Sequence, residues 1–329
     1  ELTHGAPDYV SARRIGGRTD DRDVPPHFYA GIGHLNAFHK AVKVMLPLLS
    51  DPVFFTLTCG VLGLIIGSFL NVVIIRLPRM MESQWHKDCC ELMDQPIPTD
   101  TPLSLAHPRS TCPHCGAAIR AWHNIPVLSW LVLRGRCADC NATISIRYPL
   151  VELGTGLLFS AAAWQFGYSA EALSALVLIA FLIALTGIDL DTQLLPDTLT
   201  LPLLWLGLGV NLFQVWTTLP AAVVGAMLGY GALWSVYWAF KLVTGKEGMG
   251  YGDFKLLAAL GAWFGWQAIP LIILLSSLVG ALLGLTILAL TRQGRNTPMP
   301  FGPYLAGAGL LALFYGDTLV TQYFQWMGP

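Results

Sequence analysis

Three observations predict an all-α polytopic membrane protein: an apolar composition, a series of long apolar runs, and one long polar loop that interrupts them. Apolar residues make up 54% of the 329 and charged residues only 12%. Mean hydropathy is +0.57, outside the range of soluble globular domains. The lipid bilayer is therefore the first partner the sequence implies. A net charge of −1 and a pI near 6.8 give no basic stripe or patch, so no nucleic-acid partner is expected.

About eight runs reach or approach the roughly 20 residues that carry a helix across the hydrocarbon core. The first is "VFFTLTCGVLGLIIGSFLNVVII" at 53–75, which makes 45–76 the first transmembrane helix. A polar loop follows over 77–148, and 149–329 is a multispan domain. Its runs are 150–166, 172–188, 199–216 and 221–242, then a shorter one through 266 that fits either a span or a re-entrant half helix, then 269–290 and 302–324. Gly63 and Gly67, like Gly225 and Gly229, sit four residues apart. That spacing suits close helix contacts, although a general richness of membrane helices in glycine accounts for it equally well.

Lysine and arginine set the orientation. The loop after the first run carries Arg79, Lys87, Arg109, Arg120, Arg134, Arg136 and Arg147, whereas the connections near 167–171 and 217–220 carry none. The long loop is therefore expected in the cytoplasm, and alternating spans bring Lys241, Lys246, Arg292 and Arg295 to the same side. Residues 1–44 do not fit this map. They are polar, lack an initiating methionine, resemble no signal peptide and place Lys40 and Lys43 on the outer flank. Met45 is a sensible start, which makes 1–44 a candidate non-native extension; the alternative is a genuine leader without fixed structure.

The loop holds the sharpest local motif. Cys112-Pro-His-Cys115 is followed after 21 residues by Cys137-Ala-Asp-Cys140. Two such pairs form knuckles whose four thiolates close a tetrahedral zinc site. The competing reading is a pair of disulfides, which a reducing cytoplasm disfavours. Four sulfurs leave no open coordination position, so the zinc is structural and 77–148 reads as a cytoplasmic zinc-binding loop domain. Cys59 reads as a packing residue, and Cys89 and Cys90 have no partner motif.

Two further features bear on chemistry. In "LTGIDLDTQLLPDTLTLPLL" Asp189 ends an apolar helix, with Asp191 and Asp197 close behind; in "KEGMGYGDFKLLAAL" Asp253 opens another. Two candidate spans separate Asp189 from Asp253, so both lie on one membrane face and can meet. Adjacent carboxylates share one proton, so one member acts as base and the other as acid on a bound water. Each acid also has a plainer reading. Asp197 and Asp253 fit helix caps, and Asp191 a solvated loop acid.

Taken together, "GSFLNVVIIRLP" (67–78), the double Cys-x-x-Cys loop, "RYPLVELGTG" (147–156), "IDLDTQLLPD", "GYGD" (250–253) and "PFGPYLAGAG" (300–309) resemble the type IV prepilin peptidases. The resemblance covers nearly everything from Met45 onward. It implies catalytic aspartates at Asp189 and Asp253 and zinc ligands at Cys112, Cys115, Cys137 and Cys140. It also implies a multi-pass enzyme of the bacterial inner membrane whose active site faces the cytoplasm. Such an enzyme cuts the basic leader of prepilins and pseudopilins after a glycine, then methylates the new N-terminus with S-adenosylmethionine. No dinucleotide-type glycine fingerprint follows a strand here, so the cofactor pocket is unassigned. Asn71, Arg76 and Glu152 are candidates only by elimination, each with an ordinary structural reading. A multispan transporter or channel whose paired acids bind a cation or proton is the alternative; it explains neither the four-cysteine loop nor the lack of internal duplication.

Overall fold

The computed structural model describes residues 50–96, 103–291 and 300–327; the 1–44 extension and the start at Met45 lie outside them. Among the described residues the chain is helical, with no strand and two isolated bridges. Its helices are α1 (Pro52–Leu92), α2 (Leu128–Val132), α3 (Arg147–Phe166), α4 (Ala170–Thr192), α5 (Asp197–Asn211), α6 (Leu219–Thr244), α7 (Tyr251–Phe264), α8 (Ile269–Thr291) and α9 (Gly302–Met327).

Among the described residues, four helical segments are long and apolar enough to cross a membrane: Pro52–Leu92, Ala170–Thr192, Leu219–Thr244 and Trp266–Thr286. The predicted run at 199–216 is the 15-residue α5, and the short run after Gly250 is the 14-residue α7. At 1.5 Å per residue these reach only about 22 and 21 Å, less than the ~30 Å hydrocarbon core.

The opening part of the 77–148 segment is helical. Helix α1 runs 41 residues to Leu92 and passes through Pro78. Proline there removes one backbone bond, but "RMMESQWHKDCCEL" contains no glycine and is rich in good helix formers, so the helix continues.

Small residues bring the helices together. A Cβ added at Gly63 would lie 2.8 Å from Gly156 Cα, and one at Gly67 2.7 Å from Glu152 Cα. This contact fastens α1 to α3. The same logic joins α6 to α7, where a Cβ on Gly225 or Gly229 would come within 2.3 or 2.6 Å of the Gly261 or Leu257 carbonyl. All four of the glycines singled out by spacing are therefore contact points, where a methyl group would push the helices apart.

The core lies where α4 and α7 are wrapped by their neighbours. Leu178, Ile179, Leu182, Leu185 and Ile188 of α4 are fully buried, as are Phe254, Leu256, Leu257, Leu260 and Trp263 of α7. Polar clamps fix α7 to α5. Asn211 Nδ2 donates to the Ala262 and Trp263 carbonyls at 2.8 and 2.9 Å, and its Oδ1 accepts from Trp216 and Thr217 N–H. Trp263 Nε1 donates to the Leu203 carbonyl at 2.9 Å. A buried asparagine with its hydrogen-bonding groups satisfied sets the register between these helices, and with it the place of Asp253.

Candidate active site

Asp189 lies in the last turn of α4, just before the helix ends at a left-handed Gln193. Its side chain is buried, and its Oδ2 accepts the backbone N–H of Gly302 at 2.9 Å. Gly302 is the first residue of α9, whose opening N–H groups lack intrahelical partners. The close approach needs glycine, because a Cβ there would stand 2.7 Å from Oδ2.

Asp253 occupies the first turn of α7, after the Gly250 cap. It too is buried, and the charge of Asp189 acts on it. Asp189, Asp253 and Glu152 are the buried carboxylates among the described residues.

Leu195 links the two turns that carry these contacts. A Cβ at Gly252 would meet Leu195 Cβ at 2.6 Å, and one at Gly302 would meet Leu195 Cδ2 at 3.1 Å. The Gly-Tyr-Gly-Asp turn and the Phe-Gly-Pro turn thus both close on one leucine.

The neighbouring acids have other roles than those expected. Asp191 is exposed, as a solvated acid should be, but it lies in the last turn of α4 rather than in a loop and is paired: Arg147 Nη1 donates to both its oxygens at 2.5 and 2.7 Å, while Arg147 Nη2 donates to the Gly187 carbonyl at 3.0 Å. Asp197 is not the cap of α5, since Pro196 occupies that position. Its carboxylate pairs with Lys255 at 2.6 and 2.8 Å. Both pairs are partly exposed. They tie α3 to α4 and α5 to α7 around the two buried acids.

The four-cysteine loop folds as two matching knuckles. In the first, Cys112 N donates to the Ala117 carbonyl and Gly116 N to that of Cys112; in the second, Cys137 N donates to Ala142 and Asn141 N to Cys137. The residue after each second cysteine, Gly116 or Asn141, has positive φ, as a knuckle turn requires. The four Sγ atoms lie within 4.8 Å of one another. Cys112 and Cys140 sulfurs are 3.8 Å apart, far from the ~2.05 Å of a disulfide. A tetrahedron with Zn–S bonds of ~2.3 Å has edges of about 3.8 Å, so the donor set fits zinc in size and chemistry.

Arg76 and Glu152 bind the loop to the helices, and Asn71 joins α1 to the first turn of α3. Arg76 donates to the carbonyls of Ser104, Leu105 and Pro108, and Asn71 to that of Tyr148. Glu152 Oε2 accepts Val127 N–H at 2.8 Å. Val127 has φ 61° and ψ −50° and centres a tight turn in which Leu128 N reaches the Pro126 carbonyl. Positive φ at a β-branched residue is strained, and the buried carboxylate helps to hold it.

The sequence brought Asp189, Asp253 and the cysteines into view but missed Gly302, Leu195, Arg147 and Lys255. A signal for Gly302 was present, since Phe-Gly-Pro marks a helix start with free N–H groups.

A curated relative from Stutzerimonas stutzeri is 57% identical over 279 residues, covering 84% of this chain and 96% of its own length. Relatives from Pseudomonas putida and Pseudomonas aeruginosa are each 55% identical, covering 84% and 85% of this chain and 96% and 97% of their own lengths. All three bear the name prepilin leader peptidase/N-methyltransferase. The chain belongs to the type IV leader peptidase family. Residues 176–285 match the type IV leader peptidase family itself, and 61–166 match the bacterial peptidase A24 N-terminal domain. Both candidate aspartates fall in the leader-peptidase segment, and all four cysteines in the N-terminal one. Gly302 lies beyond either match. No solved structure matches the chain significantly.

Proposed function

We propose that this protein is a bifunctional prepilin leader peptidase and N-methyltransferase, with Asp189 and Asp253 as its catalytic dyad. The observation that supports the reading is that two buried carboxylates, on separate helices at the ends of apolar segments, are flanked by turns that close on the same residue, Leu195. The names of the relatives supply the substrate class and the second activity.

The dyad works by sharing a proton. The ionised carboxylate removes a proton from a water held between the two, and the water oxygen attacks the carbonyl carbon of the leader's last residue, the glycine. The protonated carboxyl donates to the carbonyl oxygen, and the collapsing tetrahedral intermediate releases the new amine with a proton. Gly302 N–H holds Asp189 Oδ2 in place. Gly252, with no side chain, lets the turn before Asp253 close directly on Leu195.

A prepilin is a basic leader joined to an apolar helix. Its cleavage point therefore lies where bilayer gives way to water, and the positive loops point to the cytoplasmic face of the bacterial inner membrane. In this reading the chain comprises the first transmembrane helix (45–76), a cytoplasmic zinc-binding loop domain (77–148) and a multispan peptidase domain (149–329). The about eight spans include the short α5 and α7. Cys112, Cys115, Cys137 and Cys140 hold one structural zinc. S-adenosylmethionine, when bound, supplies the electrophilic methyl group that the freed N-terminal amine accepts.

Incubation with a synthetic prepilin and labelled S-adenosylmethionine, scoring leader release and label incorporation separately, tests the whole reading. Absence of leader release from a folded, membrane-inserted preparation overturns it.

A further inference from the structure

The zinc-binding loop carries an apolar surface that neither the dyad nor the cysteines use. Trp122, Ile125, Leu128, Leu131 and Val132 are all exposed, Trp122 at 63% and Val132 at 79%. On α2, Leu128, Leu131 and Val132 stand at i, i+3 and i+4, one face of a helix. Ser129, on another side, is buried.

This exposure is built in by the segment's own hydrogen bonds. Ser129 Oγ donates to the Trp122 carbonyl at 2.7 Å and accepts Ile125 N–H at 3.1 Å. Trp130 Nε1 donates to the Ile144 carbonyl. The backbone is thus closed on itself with its large apolar side chains turned outward.

The anchor sets the depth of this surface. Val127, in the middle of the segment, is bonded to Glu152. The Glu152 backbone packs against Gly67 of α1, within the apolar run that ends at Ile75. From Gly67 to Ile75 is about 12 Å along a helix, so the segment stands close to the polar boundary of a membrane-spanning helix. Its charge is one-sided. From Leu103 to Cys140 the chain has Arg109, Arg120, Arg134 and Arg136 against a single acid, Asp139. Zinc held by four thiolates carries about −2, which leaves this module with a small positive charge of about +1.

We propose that the segment from Trp122 to Val132 is a membrane-docking element that inserts its apolar face at the interface of an anionic bilayer, with the surrounding arginines on the headgroups. The docking seats the four-cysteine module on the membrane beside the bundle. It goes beyond the peptidase reading and rests only on its membrane-embedded part.

The test uses the full-length protein in nanodiscs of phosphatidylcholine alone or with phosphatidylglycerol. A fluorescent amino acid replaces Val132 in one preparation and the exposed His114 in another. Lipids brominated near the headgroup are expected to quench the probe at 132 and not that at 114. Iodide should quench 114 at least about fivefold more strongly, and phosphatidylglycerol should widen the contrast. Equal iodide quenching at both positions overturns the proposal. So does a 132 probe shielded from iodide yet untouched by brominated lipid, because protein rather than lipid would then cover it. Leader cleavage measured on the same preparations keeps the two readings separate: an active enzyme with an iodide-open position 132 ends the docking idea alone.

Discussion

The backbone N–H of Gly302 reaches Oδ2 of Asp189 across 2.9 Å inside the helix bundle, joining residues 113 positions apart in the chain. One oxygen of the acid is thereby fixed by the start of α9, and a side chain on residue 302 would fall on that oxygen.

Gly302→Ala should therefore lower leader cleavage without unfolding the enzyme. A hydrogen bond to a charged group contributes roughly 1.5–3 kcal/mol, which corresponds to a loss of about 10- to 150-fold in single-turnover cleavage. Methyl transfer to an already cleaved pilin should stay near wild type. Equal loss of both activities would mean that the substitution damages the fold instead.

Replacing the acids by amides separates chemistry from structure. Asp189→Asn and Asp253→Asn should each reduce cleavage at least ~10²- to 10⁴-fold, the range of a lost general acid or base, while the protein stays inserted. Asp191→Asn and Asp197→Asn remove partly exposed ion pairs worth about 0.2–1 kcal/mol, so they should shift thermal stability slightly and leave most cleavage intact. Cleavage retained by either dyad variant would remove the assignment.

The metal site predicts one zinc per chain by elemental analysis of purified protein. Cys112→Ser or Cys137→Ser should release it and raise hydrogen exchange over residues 110–145. Zinc-finger peptides gain about 10–16 kcal/mol from the ion, so partial retention of loop order is not expected. A wild-type preparation free of stoichiometric metal would count against the site.

Glu152 gives a fourth test. Glu152→Ala removes the acceptor for the part-buried Val127 N–H at a strained turn, and the lost hydrogen bond to a carboxylate costs about 1–3 kcal/mol. Hydrogen exchange at Val127 and Leu128 should rise by roughly 5- to 150-fold, while Glu152→Gln, which keeps a carbonyl acceptor, should restore most of the protection. Identical exchange in both variants would show that the contact does not hold the turn.

Much of this was legible from residue order because membrane helices and metal knuckles write themselves into local pattern. Apolar runs predicted α3, α4, α6 and α8 to within a few residues, and the cysteine spacing predicted the sulfur cluster. Helix α1 overran its predicted end because hydropathy marks where lipid stops, and helix propensity carried the chain through "RMMESQWHKDCCEL" to Leu92. The neighbours of the dyad were hidden for another reason. Arg147 and Asp191 are 44 residues apart, and Asp197 and Lys255 58; such pairings depend on how helices stack, which no local window contains. Gly302 was harder still, because its contribution is a main-chain group that any residue possesses.

Leu195 gears the two halves of the site together. Its side chain fills the notch left by glycine in both the turn before Asp253 and the turn that braces Asp189. Neither turn can tighten without pressing on the same leucine. A shift in either turn is thereby passed to the other, so the surroundings of Asp189 and Asp253 are held as one mechanical unit.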